Sequence, residues 1–265
     1  MGVVKFLIVT IFLCSFVNAK PKLPSFLKVC HRNDPKLKEC IKDSVERLRP
    51  FLAKGIPEFD IPSCEPLLIP EVSIDQGTGS VAVQSNYRDI KIYGPSKFTI
   101  KNVKIDLDKN KVRIKLWIPH LEISSVYTMS GKILMMPIQG TGACTGNYSK
   151  AIFFFFFGKT VHFFLANIDA TVSMDGEKVK KGDELYFNVK DFLVDFNVGH
   201  AQIRLDDLFN GDKELGEAMN LFLNDNWKHV ASEIKPVMED TIASIFKKFS
   251  NKIFHKYPID AILPE

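Results

Sequence analysis

The chain has 265 residues, 46% of them hydrophobic and 25% charged, and a formal net charge of +4 at pH 7. A chain of this length and apolar content can bury a sizeable core, in one large domain or in two fused halves. The nearly neutral charge, without a dense Lys/Arg cluster interleaved with aromatic residues, argues against nucleic-acid binding.

The N-terminus has the parts of a secretory signal peptide. Lys5 precedes an apolar run over residues 6–17, and small residues follow before Lys20. Because the run is short for a bilayer span, we interpret residues 1–19 as a cleaved signal. We therefore expect a secreted, extracellular protein without stable membrane insertion, whose net charge falls from +4 to +3 when Lys5 is removed.

Four cysteines remain after cleavage, and an even number in an oxidising compartment predicts disulfides. Cys30 and Cys40 are the favoured pair, since their bond would pin the N-terminal arm to the helix that carries Cys40. Cys64 and Cys144 form the remaining pair. The alternative is that these two stay as buried free thiols.

The first predicted element is a short amphipathic helix over residues 34–52. Asp34 is a suitable N-cap, Pro35 suits the first helical position, and the apolar spacing stops before Gly55. Residues 56–70 contain four prolines. That density excludes a helix or a central strand and predicts an extended connector.

From about residue 72 to 198 the apolar pattern changes to the period of two that is typical of half-buried strands. Residues 111–118 are the clearest case, with an apolar face and a face of Lys and Arg. This predicts a long antiparallel sheet, solvated outside and apolar inside. Pro119 predicts a strand interruption, and the Gly-rich residues 77–79 and 140–142 predict bends or bulges.

Residues 208–253 are predicted to form one long amphipathic helix, entered through a turn at 208–213. Its apolar side chains recur mostly three or four positions apart. Roughly forty helical residues would extend about 60 Å, so the apolar face of the sheet is the expected partner. A solvent-exposed or coiled-coil helix is the alternative; strict heptads are absent, and Pro236 removes one helix hydrogen bond.

The sequence contains no recognisable catalytic motif, and its six histidines are scattered singly. We therefore predict no enzyme activity, no cofactor and no metal site. Asn147, in Asn147-Tyr148-Ser149, is an N-glycosylation acceptor.

Several segments together resemble the takeout and haemolymph juvenile-hormone-binding-protein family of secreted insect proteins. They are the Cys30/Cys40 pair and residues 55–58, 65–70, 208–216 and 220–227. The resemblance covers essentially all of residues 20–265 as one domain. It implies an α+β, tubular lipid-binding fold, similar to one half of the bactericidal/permeability-increasing proteins: a highly curved antiparallel sheet wrapped on the long C-terminal helix, with an internal hydrophobic tunnel.

One segment departs from the family pattern. Residues 150–166 include five consecutive phenylalanines and lie where family members continue almost directly past the sequon. We interpret them as an insertion or as an artefact of the gene model, such as a retained intron. If they are present in the protein, they form an exposed apolar segment.

The resemblance implies a carrier that reversibly binds a small hydrophobic ligand, such as a juvenile hormone, a terpenoid or a fatty-acid-like molecule, in circadian, feeding or chemosensory physiology. The partner is this ligand, and we expect a monomer. The alternatives are a lipid- or membrane-surface-interacting defence protein and an esterase. The inward apolar residues predicted to line the tunnel are Trp117, Tyr127, Met129, Ile133, Met135, Phe187, Phe192, Val194, Phe196, Phe222, Trp227 and Met238.

Overall fold

The computed structural model describes residues 23–76, 81–133, 136–143 and 161–265. The helices are α1 (Leu37–Lys54), α2 (Lys213–Asp225), α3 (Trp227–Phe254) and the short α4 (Ile259–Ile262). The strands are β1 (Leu67–Gln76), β2 (Val81–Tyr93), β3 (Thr99–Asp106), β4 (Lys111–Ile133), β5 (Met136–Ala143), β6 (Val161–Lys181) and β7 (Glu184–Arg204).

All seven of these strands form one antiparallel sheet in the order β1-β2-β4-β6-β7, with β3 and β5 each paired to β4. The 23-residue β4 holds the sheet together, because its first half pairs with β3 and β6 and its second half with β2 and β5. Helices α2 and α3 pack on one face, which we call the inner face. This arrangement confirms the predicted α+β class with a curved antiparallel sheet.

In β6 the inward-facing positions shift by one residue part of the way along the strand, at a point that lies between paired positions of β4 and β7. In β6, Phe163 and Leu165 pack into the core before this line, whereas Ile168 is buried after it. Asn167 lies between them with a positive φ of 53°. Pro119 of β4 is opposite Asn167 and lies within the strand, so the predicted interruption is wrong. An extended backbone accommodates proline at a position where its nitrogen need not donate a hydrogen bond to a neighbouring strand.

The Gly-rich residues 140–142 lie within β5, in regular register with β4. The predicted bulge there is therefore wrong, and close packing explains the glycine: a Cβ on Gly140 would lie 3.0 Å from the Tyr127 hydroxyl and 3.1 Å from Leu208 Cδ2. The other Gly-rich stretch, residues 77–79, lies outside the described part of the chain and directly follows the end of β1 at Gln76. The bend predicted there stays a prediction.

The C-terminal helix is broken, contrary to the prediction of one continuous helix. Asn226 leaves the helical conformation with φ −107° and ψ 19°. Its backbone N–H and its side-chain Nδ2 both donate to Phe222 O, at 3.1 and 2.8 Å, and this double capture ends α2. Pro236 lies inside α3 without ending it.

Helix α1 begins at Leu37, two positions after the predicted start. The Asp34 side chain accepts the Lys36 N–H at 2.8 Å, in a turn that precedes the helix instead of capping it. Gly55 follows the helix with a φ of 86°, as the predicted end requires.

The C-terminal end of the segment 150–166, which the sequence analysis interprets as an insertion, belongs to the sheet. Residues 161–166 belong to β6 and pair with β4 on one side; residues 162–166 also pair with β7 on the other. Phe163 and Leu165 of this segment contribute to the core, and whether the segment is an insertion stays a prediction. Residues 150–160 lie outside the described residues, and their status stays a prediction.

The predicted Cys30–Cys40 disulfide is present and joins the N-terminal arm to α1. Arg32 links the N-terminal arm to the C-terminal residues of the chain. Its Nε donates to Leu263 O at 2.7 Å, and its guanidinium pairs with Asp260. Cys64 is buried as a free thiol. Cys144, its predicted partner, lies outside the described residues, as do residues 1–19 and Asn147.

Candidate ligand-binding site

The inner face is closed on the β7 side by hydrogen bonds from helix side chains. β7 is the last strand of the sheet, so one edge has no strand partner. Asn220 and Asn224 of α2 bind both backbone groups of Leu205 and Ile203, respectively. Along α3, Asn251 binds both backbone groups of Val189. These amides satisfy polar groups that would otherwise be left unpaired beneath the helix.

Two further α3 side chains strengthen this seam. Glu239 Oε1 accepts the Phe196 N–H at 3.0 Å, and Lys235 pairs with Asp195 at 2.8 Å. The hydrogen bond from the Lys235 ammonium group is the main reason that the pKa of the Asp195 carboxyl lies below its usual value. The helix is therefore fixed to β7 by directional contacts along most of its length.

On the opposite side, α3 meets β1, β2 and β4 through apolar contacts. The core cluster on those strands packs against four half-buried α3 residues. They are Ile234, Val237, Ile245 and Phe249. Among the described residues, no hydrogen bond or ion pair joins α3 to β1, so the contact between these two elements is apolar.

A small cavity of about 40 Å³ lies between the sheet and the helices. Among the residues that the structure describes, its wall is apolar except for Ser85 and Tyr87, and it contains no charged side chain. The lining residues are Ile74, Val83, Ser85, Tyr87, Met129, Phe163, Ile203, Leu205, Leu223, Val230 and Ile234. The volume is sufficient for little more than a water molecule.

A larger groove of about 510 Å³ opens between β1 and α3. We call it the β1–α3 groove. Its lining residues are Pro62, Leu68, Ile69, Pro70, Asp240, Thr241, Ser244, Ile245, Lys248 and Phe249. Sequence periodicity gives no sign of it, because its two walls are 170 residues apart in the chain.

Of the predicted tunnel residues, Met129 lines the cavity. Phe222 packs half-buried against the buried cluster that contains Met129 and Leu223. Tyr127 is 1% exposed and its hydroxyl donates to Asp206 O at 2.6 Å, so it fills core at this end.

Four more predicted residues lie on the inner face of β7. The rings of Phe187 and Phe192 contact α3 aromatic rings, with centroids 5.2 and 6.4 Å apart. Val194 is half-buried beside them, and Phe196 has Lys235 Nζ 5.9 Å from its ring. Met238 is half-buried on α3. The structure therefore brings these residues together as the contact between β7 and the helix.

Trp117 does not face the interior. It pairs with the exposed Asp169, and Lys101 Nζ lies 5.2 Å from its ring. Because it alternates with inward residues of β4, its side chain lies on the outer face, which contradicts its assignment to the tunnel.

Trp227 lies at the start of α3, with its ring 5.8 Å from that of the exposed His200, away from the cavity. Met135 and the side chain of Ile133 lie outside the described residues.

Most of the cavity lining was missed from the sequence. Val83 and Ser85, and Ile203 and Leu205, have the period-two spacing that signals an inward strand face. Val230 and Ile234 belong to the predicted helical stripe. Phe163 lies in the segment 150–166, which the sequence analysis interprets as an insertion. Periodicity therefore identifies these strand and helix residues as inward-facing, but it does not show which of them border the cavity.

Two neighbouring titratable groups lie where β1 begins. Burial, followed by the nearby Glu65 carboxylate, raises the pKa of the Cys64 thiol to about 11. Burial alone would raise the pKa of Glu65, but hydrogen bonds from Gly94 N–H, Ser96 O–H and Ser96 N–H hold it below its usual range. Glu65 thus fixes the turn after β2 to the start of β1.

Within the described ranges, no group of three His, Cys, Asp or Glu side chains is placed to hold a metal ion. Among those same residues, no helix is long and apolar enough to cross a membrane.

A curved sheet whose apolar inner face is closed by a helix, with an uncharged cavity between them, defines a protein of the class that binds small hydrophobic molecules. The chain belongs to the haemolymph juvenile hormone binding protein (JHBP) family, whose family profile matches residues 7–156 and 159–264. This confirms the resemblance seen in the sequence.

Two relatives and one solved structure illustrate the family. The chain is 25% identical to the circadian clock-controlled protein daywake of Drosophila melanogaster, over 92% of this chain and 89% of that protein. It is 22% identical to a putative beta-carotene-binding protein of Schistocerca gregaria, over 90% and 88%. The crystal structure of Epiphyas postvittana Takeout 1 superposes with a TM-score of 0.73 and 28% identity, covering 90% of this chain and all of that one.

Proposed function

We propose that this protein is a secreted carrier that reversibly binds a small hydrophobic ligand between the inner sheet face and helices α2 and α3. The observation that carries the proposal is the cavity, whose apolar wall comes from both the sheet and the helices. A juvenile hormone, a terpenoid or a fatty-acid-like molecule fits this chemistry, and no covalent step is involved.

The ligand must enlarge the cavity, since about 40 Å³ is far below the roughly 300–1,000 Å³ of ordinary ligand sites. Met129 supports such an expansion, because a methionine side chain can change rotamer and refill space at little cost. The β1 side of the helix is the side that yields, since it is held by apolar contacts alone among the described residues. Binding is driven by apolar burial, about 0.8 kcal/mol for each buried CH₂ group.

Extracellular transport is supported by the signal-like residues 1–19 and by the Cys30–Cys40 disulfide, which persists in an oxidising compartment. We place the carrier in circadian, feeding or chemosensory physiology; the similarity to the circadian clock-controlled protein daywake supports the first of these.

The test begins with the protein secreted by insect cells. Native mass spectrometry should show a bound small molecule, solvent extraction should release it for identification, and the intact mass should correspond to a chain that begins at Lys20. An empty protein that also fails to bind any apolar fluorescent probe would overturn the proposal.

A pair of variants locates the site. Ser85→Leu fills the cavity from a side chain that is 7% exposed and should weaken probe binding at least fivefold. Ser130→Leu makes the same change at an exposed position of β4 and should leave binding unchanged. Circular dichroism of both variants confirms that the fold is retained. Equal affinities for both would place the ligand elsewhere.

A further inference from the structure

We propose that the β1–α3 groove is a second binding site, separate from the internal cavity, for a single-chain amphiphile that carries a carboxylate. Its volume of about 510 Å³ lies within the range of sites that hold one small molecule. The internal cavity is more than tenfold smaller. In this structure the groove, unlike the cavity, has room for a ligand without rearrangement.

The floor of the groove is apolar. Ile69 is 4% exposed and belongs to the same core cluster as Ile245 and Phe249, so the floor is a continuation of the core. At the rim, Leu68 is 55% exposed. Together with the apolar floor, this exposed leucine forms a hydrophobic surface. An alkyl chain that covers this surface removes it from water, which favours binding.

The charges in the groove define the head group. Asp240 and Lys248 are the only charged residues among the described ones that line it, and they are eight positions apart on α3, about 12 Å along the helix. Ser244 lies midway between them. A carboxylate therefore fits at the Lys248 end, and the Asp240 end repels a second anion. This polarity sets one orientation of the ligand.

Lys248 differs from the other lysines in this part of α3. Lys247 donates to Lys190 O, Lys252 donates to Asp60 O at 2.6 Å, and Lys235 pairs with Asp195. Lys248 has no hydrogen bond or ion pair to any residue that the structure describes. Within the described part of the chain its ammonium group is thus left to pair with a ligand carboxylate at the end of the apolar groove.

The strand wall argues against a peptide as the occupant. A peptide that added to the edge of β1 would need backbone N–H donors from that strand. Pro70, within β1, and Pro62, just before it, both line the groove and have no N–H. A small amphiphile makes no such demand.

The test uses isothermal titration with dodecanoate and with dodecan-1-ol, which share the chain and differ in the head group. Lys248→Gln should weaken dodecanoate binding about fivefold, as expected for an exposed ion pair, and leave dodecanol binding unchanged. Lys228→Gln, an exposed lysine on the same helix but outside the groove, is the matched control.

Ser244→Trp fills the groove from an exposed position, where folding is not at risk, and should abolish binding at this site. Ser85→Leu, which fills the internal cavity, should leave it intact, so failure of the carrier proposal and failure of this one are distinguishable. Wild-type protein that does not bind dodecanoate, or unchanged binding in both groove variants, would overturn the proposal.

Discussion

The side-chain amide of Asn220 hydrogen-bonds both backbone groups of Leu205, the residue that directly follows β7. Its Oδ1 accepts the Leu205 N–H at 2.7 Å and its Nδ2 donates to Leu205 O at 2.8 Å. Asn224 and Asn251 repeat the pattern at Ile203 and Val189. Each amide takes the place of one residue of a missing neighbour strand. The helix therefore covers the open edge of the sheet without leaving its backbone groups unpaired.

The Asn220 contact leads to a prediction for stability. Asn220→Ala removes both bonds and leaves a buried N–H and C=O of Leu205 unsatisfied. We expect the free energy of unfolding to fall by about 2–4 kcal/mol. Denaturant titration measures the change. Asn197→Ala, at an exposed position of β7, should change it by less than about 0.5 kcal/mol. Equal effects for the two variants would show that the edge contact contributes nothing.

Tyr127 is predicted to act in stability and not in ligand binding. Its hydroxyl is committed to Asp206 O at 2.6 Å, and its side chain is 1% exposed. Tyr127→Phe should lower the free energy of unfolding by about 1 kcal/mol and leave probe affinity unchanged. Thermal unfolding and fluorescence titration give the two values. A tenfold loss of affinity with unchanged stability would instead identify the hydroxyl as a ligand anchor.

Cys64 should be unreactive in the folded protein. With its pKa raised to about 11, only about one thiol in a thousand is ionised at pH 8, and the thiolate is the reactive form. Iodoacetamide should therefore modify Cys64 only after denaturation. Peptide mapping without reduction follows this residue separately from Cys144. Rapid labelling in the native state would contradict the prediction, and a Cys64–Cys144 peptide would show the second disulfide.

Glu65 gives a pH dependence whose sign is fixed by its lowered pKa. A carboxylate whose folded pKa lies below its unfolded value of 4.5 stabilises the fold fully above that value. The contribution is lost as the pH falls through the folded pKa. Glu65→Gln should therefore be less stable than the wild type at pH 7, and the two stabilities should converge as the pH falls through the lowered folded pKa of Glu65. A stability difference that does not change with pH would exclude the ionised carboxylate as the cause.

The sequence predicted the elements whose pattern is local. The strand over residues 111–118 lies within β4, and the end of α1 before Gly55 was correct. The disulfide Cys30–Cys40 closes a separation of ten residues, which local geometry favours. Local pattern also indicates the right face for Trp117, which the tunnel assignment placed wrongly. Trp117 is in phase with Lys111, Arg113 and Lys115, and these lie on the outer face of β4.

The break at Asn226 shows where local reasoning stops. The apolar stripe runs through this residue without interruption, and asparagine occurs inside helices at modest cost. What ends α2 is the capture of Phe222 O by the Asn226 side chain, while Asn220 and Asn224 hold α2 against β7. The backbone groups that these two asparagines bind lie 15 and 21 positions earlier in the chain, beyond the three- and four-residue spacing of a helix, so the helical pattern does not reveal that the helix must end here.

The sequence by itself thus determined the family, the α+β class and the apolar inner face, because periodicity and motif order are properties of neighbouring residues. Only the tertiary structure decided which inward side chains are core and which border space. Met129 lines the cavity and Tyr127 does not, although both are inward residues of β4 only two positions apart. The β1–α3 groove, likewise, exists only because the fold brings residues 62–70 against residues 240–249. Cavities arise from how distant surfaces fail to fill space, and no local pattern encodes that.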